Sequence, residues 1–265
     1  MPRLRRIEAC LIALAGTCAA GEMREAPNAA AAPVNQLSIS GNACGPAALL
    51  SSCRFGNGSW QAAADSLPGA TDKERLSQWI RRHGLRPSEN LRGRMRWNKG
   101  GINAEDLVAA ANEMNRPLYL PVLRLEDLFR RKGEQAGAQL KRTRACIDRS
   151  LARGFPPVLS LRRFVLRKGD WIPVQGHFVT VTGVSKKIPR DGSGFRISYV
   201  DPWGGKRCEG ILKIPDRALL AKDPASSPCL VAEVPASGIG KKEVRPGEVT
   251  AVIPAVSPKD GRPYG

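Results

Sequence analysis

The chain has 265 residues, of which 42% are hydrophobic, so it can bury one sizeable core and is not an intrinsically disordered protein. Its formal charge of +18 favours anionic partners such as cell-envelope polymers. No zinc-finger, RNP-type or heptad pattern accompanies that charge, so no specific nucleic-acid partner is expected.

The first residues read as an export signal. Arg3, Arg5 and Arg6 form a positive start, Cys10 to Ala20 is apolar, and Cys18-Ala19-Ala20 offers small residues for cleavage. We therefore expect a signal peptide over 1–20 and an exported protein, periplasmic or secreted. The apolar run falls short of the roughly 20 residues a spanning helix needs, so no transmembrane span is expected after signal removal. Residues 21–33 have no period and read as a flexible spacer. A single domain is expected over 34–235, followed by a Gly/Pro/Lys-rich tail over 236–265.

Within the domain, Asn42-Ala-Cys44-Gly-Pro46 reads as a helix start, with Asn42 as cap and Pro46 in the first turn. Ala47 to Leu50 continue it as a buried helix. Thr71-Asp-Lys-Glu74 is a capping box, followed by Leu76, Trp79 and Ile80 at helical spacing and by Gly84 as a stop. Asn103 caps a further helix, and another covers about 138–153. The period then changes. Val158-Leu-Ser-Leu161, His177 to Val184 and Phe195 to Val200 read as strands, the last two joined as a hairpin through a polar turn at 186–194. Helices first and strands later give an α+β class, with a helical N-terminal half packed on an antiparallel sheet.

Seven cysteines are present, and Cys10 and Cys18 fall in the signal. The remaining five are an odd set, which leaves one thiol spare in an exported protein. If the spare is Cys44, then Cys53, Cys146, Cys208 and Cys229 could form two disulfides, with Cys208–Cys229 the preferred pair. No spacing suits a metal, so neither a metal nor a cofactor is expected.

Cys44 at a helix N-terminus sits where unpaired N–H groups and the helix dipole favour a thiolate. Of two histidines, His83 ends an amphipathic helix and reads as a C-terminal cation. His177 heads a strong strand and can act as general base toward Cys44. In the expected hairpin, Asp201 at the end of the second strand meets His177 and can fix its tautomer.

Three segments together resemble the papain-like cysteine peptidases. They are Asn-Ala-Cys44-Gly-Pro-Ala-Ala-Leu-Leu, Gly-His177-Phe-Val-Thr-Val-Thr-Gly-Val and Val-Asp201-Pro-Trp-Gly-Gly. The nearest branch in appearance is the bacteriocin-processing peptidase domains, which act on double-glycine leaders, and their stand-alone bacterial relatives. The resemblance runs from about Val34 to Ile214. It implies an active-site cleft between the helical half and the sheet, and a Cys44-His177-Asp201 triad acting on a peptide or protein substrate in a monomer. It also implies a glutamine oxyanion donor. Gln36 is the candidate, eight residues ahead of the cysteine rather than about six, with Asn42 and the Cys44 backbone N–H as other donors. The expected activity is peptide or isopeptide hydrolysis. Acyl transfer, deamidation or transglutamination at the same triad is the alternative, and so is a non-catalytic, basic, envelope-binding module.

Overall fold

A computed structural model describes residues 22–190, 192–234 and 247–259. The expected signal peptide lies outside the described residues. Its first strand, β1 (Met23–Glu25), is followed by α1 (Cys44–Phe55), α2 (Gly58–Asp65) and α3 (Asp72–Trp79), the last running on into a π-helical turn at Ile80–Gly84. A short hairpin of β2 (Trp97–Asn98) and β3 (Gly101–Ile102) leads into α4 (Ala104–Asn115). Local chemistry sets these boundaries. Thr71 accepts the Glu74 N–H while the Glu74 carboxylate accepts the Thr71 N–H, and Asn103 accepts the Asp106 N–H to start α4.

The second half is β4 (Leu123–Asp127), α5 (Ala136–Ala152), β5 (Val158–Arg167), β6 (Asp170–Ser185), β7 (Gly194–Asp201), β8 (Lys206–Lys213), β9 (Val231–Glu233) and β10 (Glu248–Pro258). The class is α+β, as expected, with antiparallel pairing throughout. The sheet is not open, however. Hydrogen bonding runs from β6 through β5, β10, β9 and β8 to β7, and β7 pairs back onto β6. The circuit is a closed barrel, with β1 added on β6 and β4 on β10. Closure removes most exposed strand edges.

Two boundaries are corrected by this barrel. The segment read as a spacer supplies β1, whose Met23, Arg24 and Glu25 pair with Ser185, Val184 and Gly183. Three residues are too few to show a period, and only the partner strand makes them a strand. The segment read as a tail supplies β10, which lies inside the barrel between β5 and β9. Pro254 hides it in the sequence. A proline is tolerated in a strand at a bulge, and the β10–β5 register shifts between Val252 and Ala255.

Two large cores result. The first gathers α1 to α4: Leu49, Leu50, Trp60, Leu76, Trp79 and Leu107 are all buried there, with Phe178 and Val158 reaching in from the barrel. The second fills the barrel with Val179, Val181, Ile197, Tyr199 and Leu212, and takes Leu140, Ile147 and Leu151 of α5. Helix α5 thus belongs with the barrel rather than with the other helices. Helix α1 is buried on nearly every side and joins the two cores. Among the described residues, no helix is long and apolar enough to cross a membrane.

Candidate active site

Cys44 is the first residue of α1, and Gly45 follows because β3 crowds it. A Cβ on Gly45 would stand 2.4 Å from Ile102 Cγ2, so a larger residue would push the cysteine turn off the β2–β3 hairpin. The expected cap is corrected here. Asn42 does not cap α1; the N-cap is Ala43, with no side-chain acceptor. Asn42 instead donates both amide hydrogens to the carbonyls of Asn98 and Lys99, at 3.0 and 2.8 Å. That anchors the β2–β3 hairpin beside the cysteine. No side chain caps the first turn of α1, where the leading N–H groups have no partner within the helix.

His177 lies within β6 rather than at its head. The strand is mostly exposed up to Gly176 and buried from His177 onward, so the imidazole sits where the ribbon enters the core. Asp201 closes β7, and Thr180 pairs with Val200, which brings the two side chains together as the hairpin predicts. His177 Nε2 is 2.7 Å from Asp201 Oδ1, with His177 4% exposed and Asp201 wholly buried. The same carboxylate oxygen accepts the Trp203 N–H at 2.9 Å. Asp201 engages Nε2, which leaves Nδ1 as the ring nitrogen available to Cys44, and His177 and Cys44 line the same cleft. Burial alone would push the His177 pKa down; the hydrogen bonds and charges of Asp201 and Cys44 outweigh it and raise the value to about 9. The imidazole is therefore held as a cation beside the thiol at neutral pH.

One bond fixes the helix carrying Cys44 against the strand carrying His177. Thr180 Oγ1 donates to the Ala48 carbonyl at 2.6 Å, and Ser52 Oγ donates to the same carbonyl at 3.1 Å. Thr180 was not singled out in the sequence, where it reads as one more β-branched strand residue. Trp203 was also missed as a site residue, although it stands inside the Asp-Pro-Trp-Gly-Gly motif. Its indole lines the cleft and packs against Gly41, where an added Cβ would meet ring carbons at 3.3 Å. Gly204 and Gly205 adopt left-handed φ values of 88° and 62°, which turns the chain from β7 to β8 immediately after Asp201 and Trp203.

Neither Asp201 nor Gln36 lines the cleft, but Asp201 holds His177 whereas Gln36 is bonded elsewhere. Gln36 is fully buried. Its Nε2 donates to the Gly41 carbonyl at 2.6 Å, and its backbone N–H donates to the Pro202 carbonyl at 2.9 Å. Gln36 thus braces the turn before the cysteine against the turn after Asp201. With both Asn42 hydrogens also engaged, the Cys44 backbone N–H is the predicted donor best placed for an oxyanion.

The cleft has a volume of about 650 Å³. One wall is the loop of Arg94, Lys99 and Ile102; the other is the barrel face of Ser160, Arg162 and His177. The remaining described thiols lie outside the cleft lining. Cys53, Cys146, Cys208 and Cys229 are free, which overturns the expected disulfides. Cys208 packs on the barrel core, whereas Cys229 belongs to a separate cluster with Phe164 and Leu219, so that pair does not meet. Burial pushes Cys53 and Cys229 up to about 12 and Cys146 to about 11, so these thiols stay protonated. His83 lies outside the cleft lining, against Glu113, which also holds the cleft residue Arg96. No family model, curated protein or solved structure matches the chain.

Proposed function

We propose that the protein is a papain-like thiol hydrolase that cleaves peptide or isopeptide bonds through Cys44, His177 and Asp201. The observation that carries this reading is that His177, held by the buried Asp201, lines one cleft with a thiol at an uncapped helix start. The Cys44 sulfur, in its thiolate form and with its proton on His177, attacks a carbonyl carbon. The oxyanion is received by the Cys44 N–H. His177 protonates the leaving amine as the carbon–nitrogen bond breaks, leaving a thioester. It then removes a proton from water, whose oxygen displaces the sulfur and releases the acid. Asp201 holds the ring orientation and stabilises the imidazolium throughout. A non-catalytic exported module would be expected to hold Cys44 in a disulfide, and the free Cys44 counts against that reading. Export through the segment at 1–20 belongs to the same proposal.

The test compares wild type with Cys44→Ala by iodoacetamide labelling and by mass spectrometry of an unbiased peptide mixture. The proposal expects rapid alkylation confined to Cys44 and cleavage products absent in the variant. Equal labelling of the variant together with an unchanged peptide mixture overturns it.

A further inference from the structure

The charges of the cleft are unevenly satisfied. Besides His177, three arginines and a lysine line it. Arg96 is buried and neutralised, with Glu113 at 2.9 Å and Glu89 at 3.8 Å. Arg94, Lys99 and Arg162 are exposed, and none of the three has a carboxylate partner among the described residues. Against them stands Glu105, the one acidic residue of the cleft lining among the described residues. Elsewhere on the surface, several cations are tied to acids, as in Arg24–Asp148, Arg75–Asp65 and Arg142–Glu134.

The three cations also stand on both walls. Arg162 lies opposite Gly176 in the β5–β6 ladder, one position from the pair of Leu161 with His177. Gly176 offers no side chain to shield it. Lys99 stands in the hairpin anchored by Asn42, on the side of Cys44, and Arg94 reaches the same hairpin at Gly100. A chain lying across Cys44 would pass between these charges.

Resting on the thiol-hydrolase reading, we infer that the substrate is an acidic peptide segment whose carboxylates are received by Arg162 on one wall and by Arg94 and Lys99 on the other. Guanidinium groups bind carboxylates through paired hydrogen bonds, and Lys99 adds a point charge. A cleft of about 650 Å³ accepts a few residues of extended chain. It is too confined for a nucleic-acid duplex, and a phosphodiester offers no carbonyl to the thiolate.

The experiment uses two alkylating agents that differ in charge. Iodoacetate and iodoacetamide both form a sulfur–carbon bond as iodide leaves, so their rate ratio at Cys44 reads the local field. It is measured in wild type, in the cleft variant Arg94→Gln/Lys99→Gln/Arg162→Gln, and in a surface variant Arg81→Gln/Lys141→Gln/Lys187→Gln that removes the same charge outside the cleft. The expected result is a drop of roughly threefold to tenfold in the iodoacetate/iodoacetamide ratio for the cleft variant alone, reduced by salt. A decaglutamate peptide is further expected to protect wild-type Cys44 from iodoacetamide, and a decalysine peptide is not. A cleft variant with the wild-type ratio, while Cys44 still reacts far faster than Cys208, overturns the acidic substrate and leaves the hydrolase reading standing. Better protection by a DNA oligonucleotide than by decaglutamate overturns the peptide class. Cys44 reacting no faster than Cys208 overturns both.

Discussion

The molecule contains two histidine–carboxylate pairs, and they are tuned in opposite directions. At the cleft, His177 is almost fully buried, yet Asp201 and Cys44 raise its pKa to about 9. Outside the cleft lining, His83 lies 3.6 Å from Glu113, and its pKa is lowered. Burial is the largest cause there. Glu113 opposes it, but Arg86 and Arg82 add to it. Glu113 is moreover shared with Arg86 and Arg96. Asp201 Oδ1 holds both the imidazole and the Trp203 N–H. A carboxylate neighbour therefore does not by itself make an imidazolium; what decides is whether the partners outweigh burial, as Asp201 and Cys44 do for His177 and Glu113 does not for His83.

The largest expected effect breaks the comparison outright. His177→Gln should lower Cys44 alkylation and any peptide cleavage by roughly 10³-fold, the range for loss of a general acid–base group. His83→Gln should leave both within about twofold, because His83 lies outside the cleft lining. Equal losses in the two variants would assign His177 a structural role. Next in size is Asp201→Asn, expected to cost roughly 10²-fold. It also carries a diagnostic direction. With the carboxylate charge gone, the imidazolium gives up its proton at lower pH, so the alkaline limb of the rate profile should move down from near pH 9. An unmoved limb would mean that Asp201 does not set the charge of His177.

Much of this site could be read in the sequence, for a local reason. The cysteine turn, the histidine strand and the Asp-Pro-Trp-Gly-Gly corner are each short segments whose residue types carry their own chemistry. A hairpin then determines that His177 and Asp201 meet. The Thr71–Glu74 capping box and the Asn103 cap are equally local and equally visible. What the sequence hid depends on distant partners. β10 is a strand because β5 and β9 flank it, and Pro254 masks it. β1 exists only as a complement to the end of β6. Asn42 looks like a cap by position, but two carbonyls more than fifty residues away claim its amide. The disulfides were inferred from an odd count, and counting says nothing about distance.

A smaller effect sharpens the second member of the comparison. Arg96 is 4% exposed and depends on Glu113 for its close acidic contact. Glu113→Gln should destabilise the fold by about 2 kcal/mol, less than for a fully buried pair because the carboxylate is partly exposed and screened. Urea unfolding checks this. Arg96 also lines the cleft, so the same variant should disturb the Arg94–Lys99 wall more than His83→Gln does. A change of less than about 0.5 kcal/mol would mean that water or Glu89 already satisfies Arg96.

The smallest effect places the two histidines on opposite flanks of the stability profile. His177 binds its proton more tightly when folded than when unfolded, where the ordinary value is about 6.5. Its contribution is thus fully present below about pH 6.5 and is lost as pH rises through 9. His83 binds its proton less tightly when folded. Its neutral form is accommodated without cost above pH 6.5, and stability falls as acid forces a proton onto it. Urea midpoints at pH 5, 7 and 9.5 should therefore show that His177→Gln flattens the alkaline decline, whereas His83→Gln flattens the acid one. Both declines respond to other groups as well, so the quantity to compare is each variant's difference from wild type across the range. If the two difference curves have the same slope, the opposite tuning of the pairs is wrong, and with it the reason for assigning the imidazolium to His177 rather than to His83.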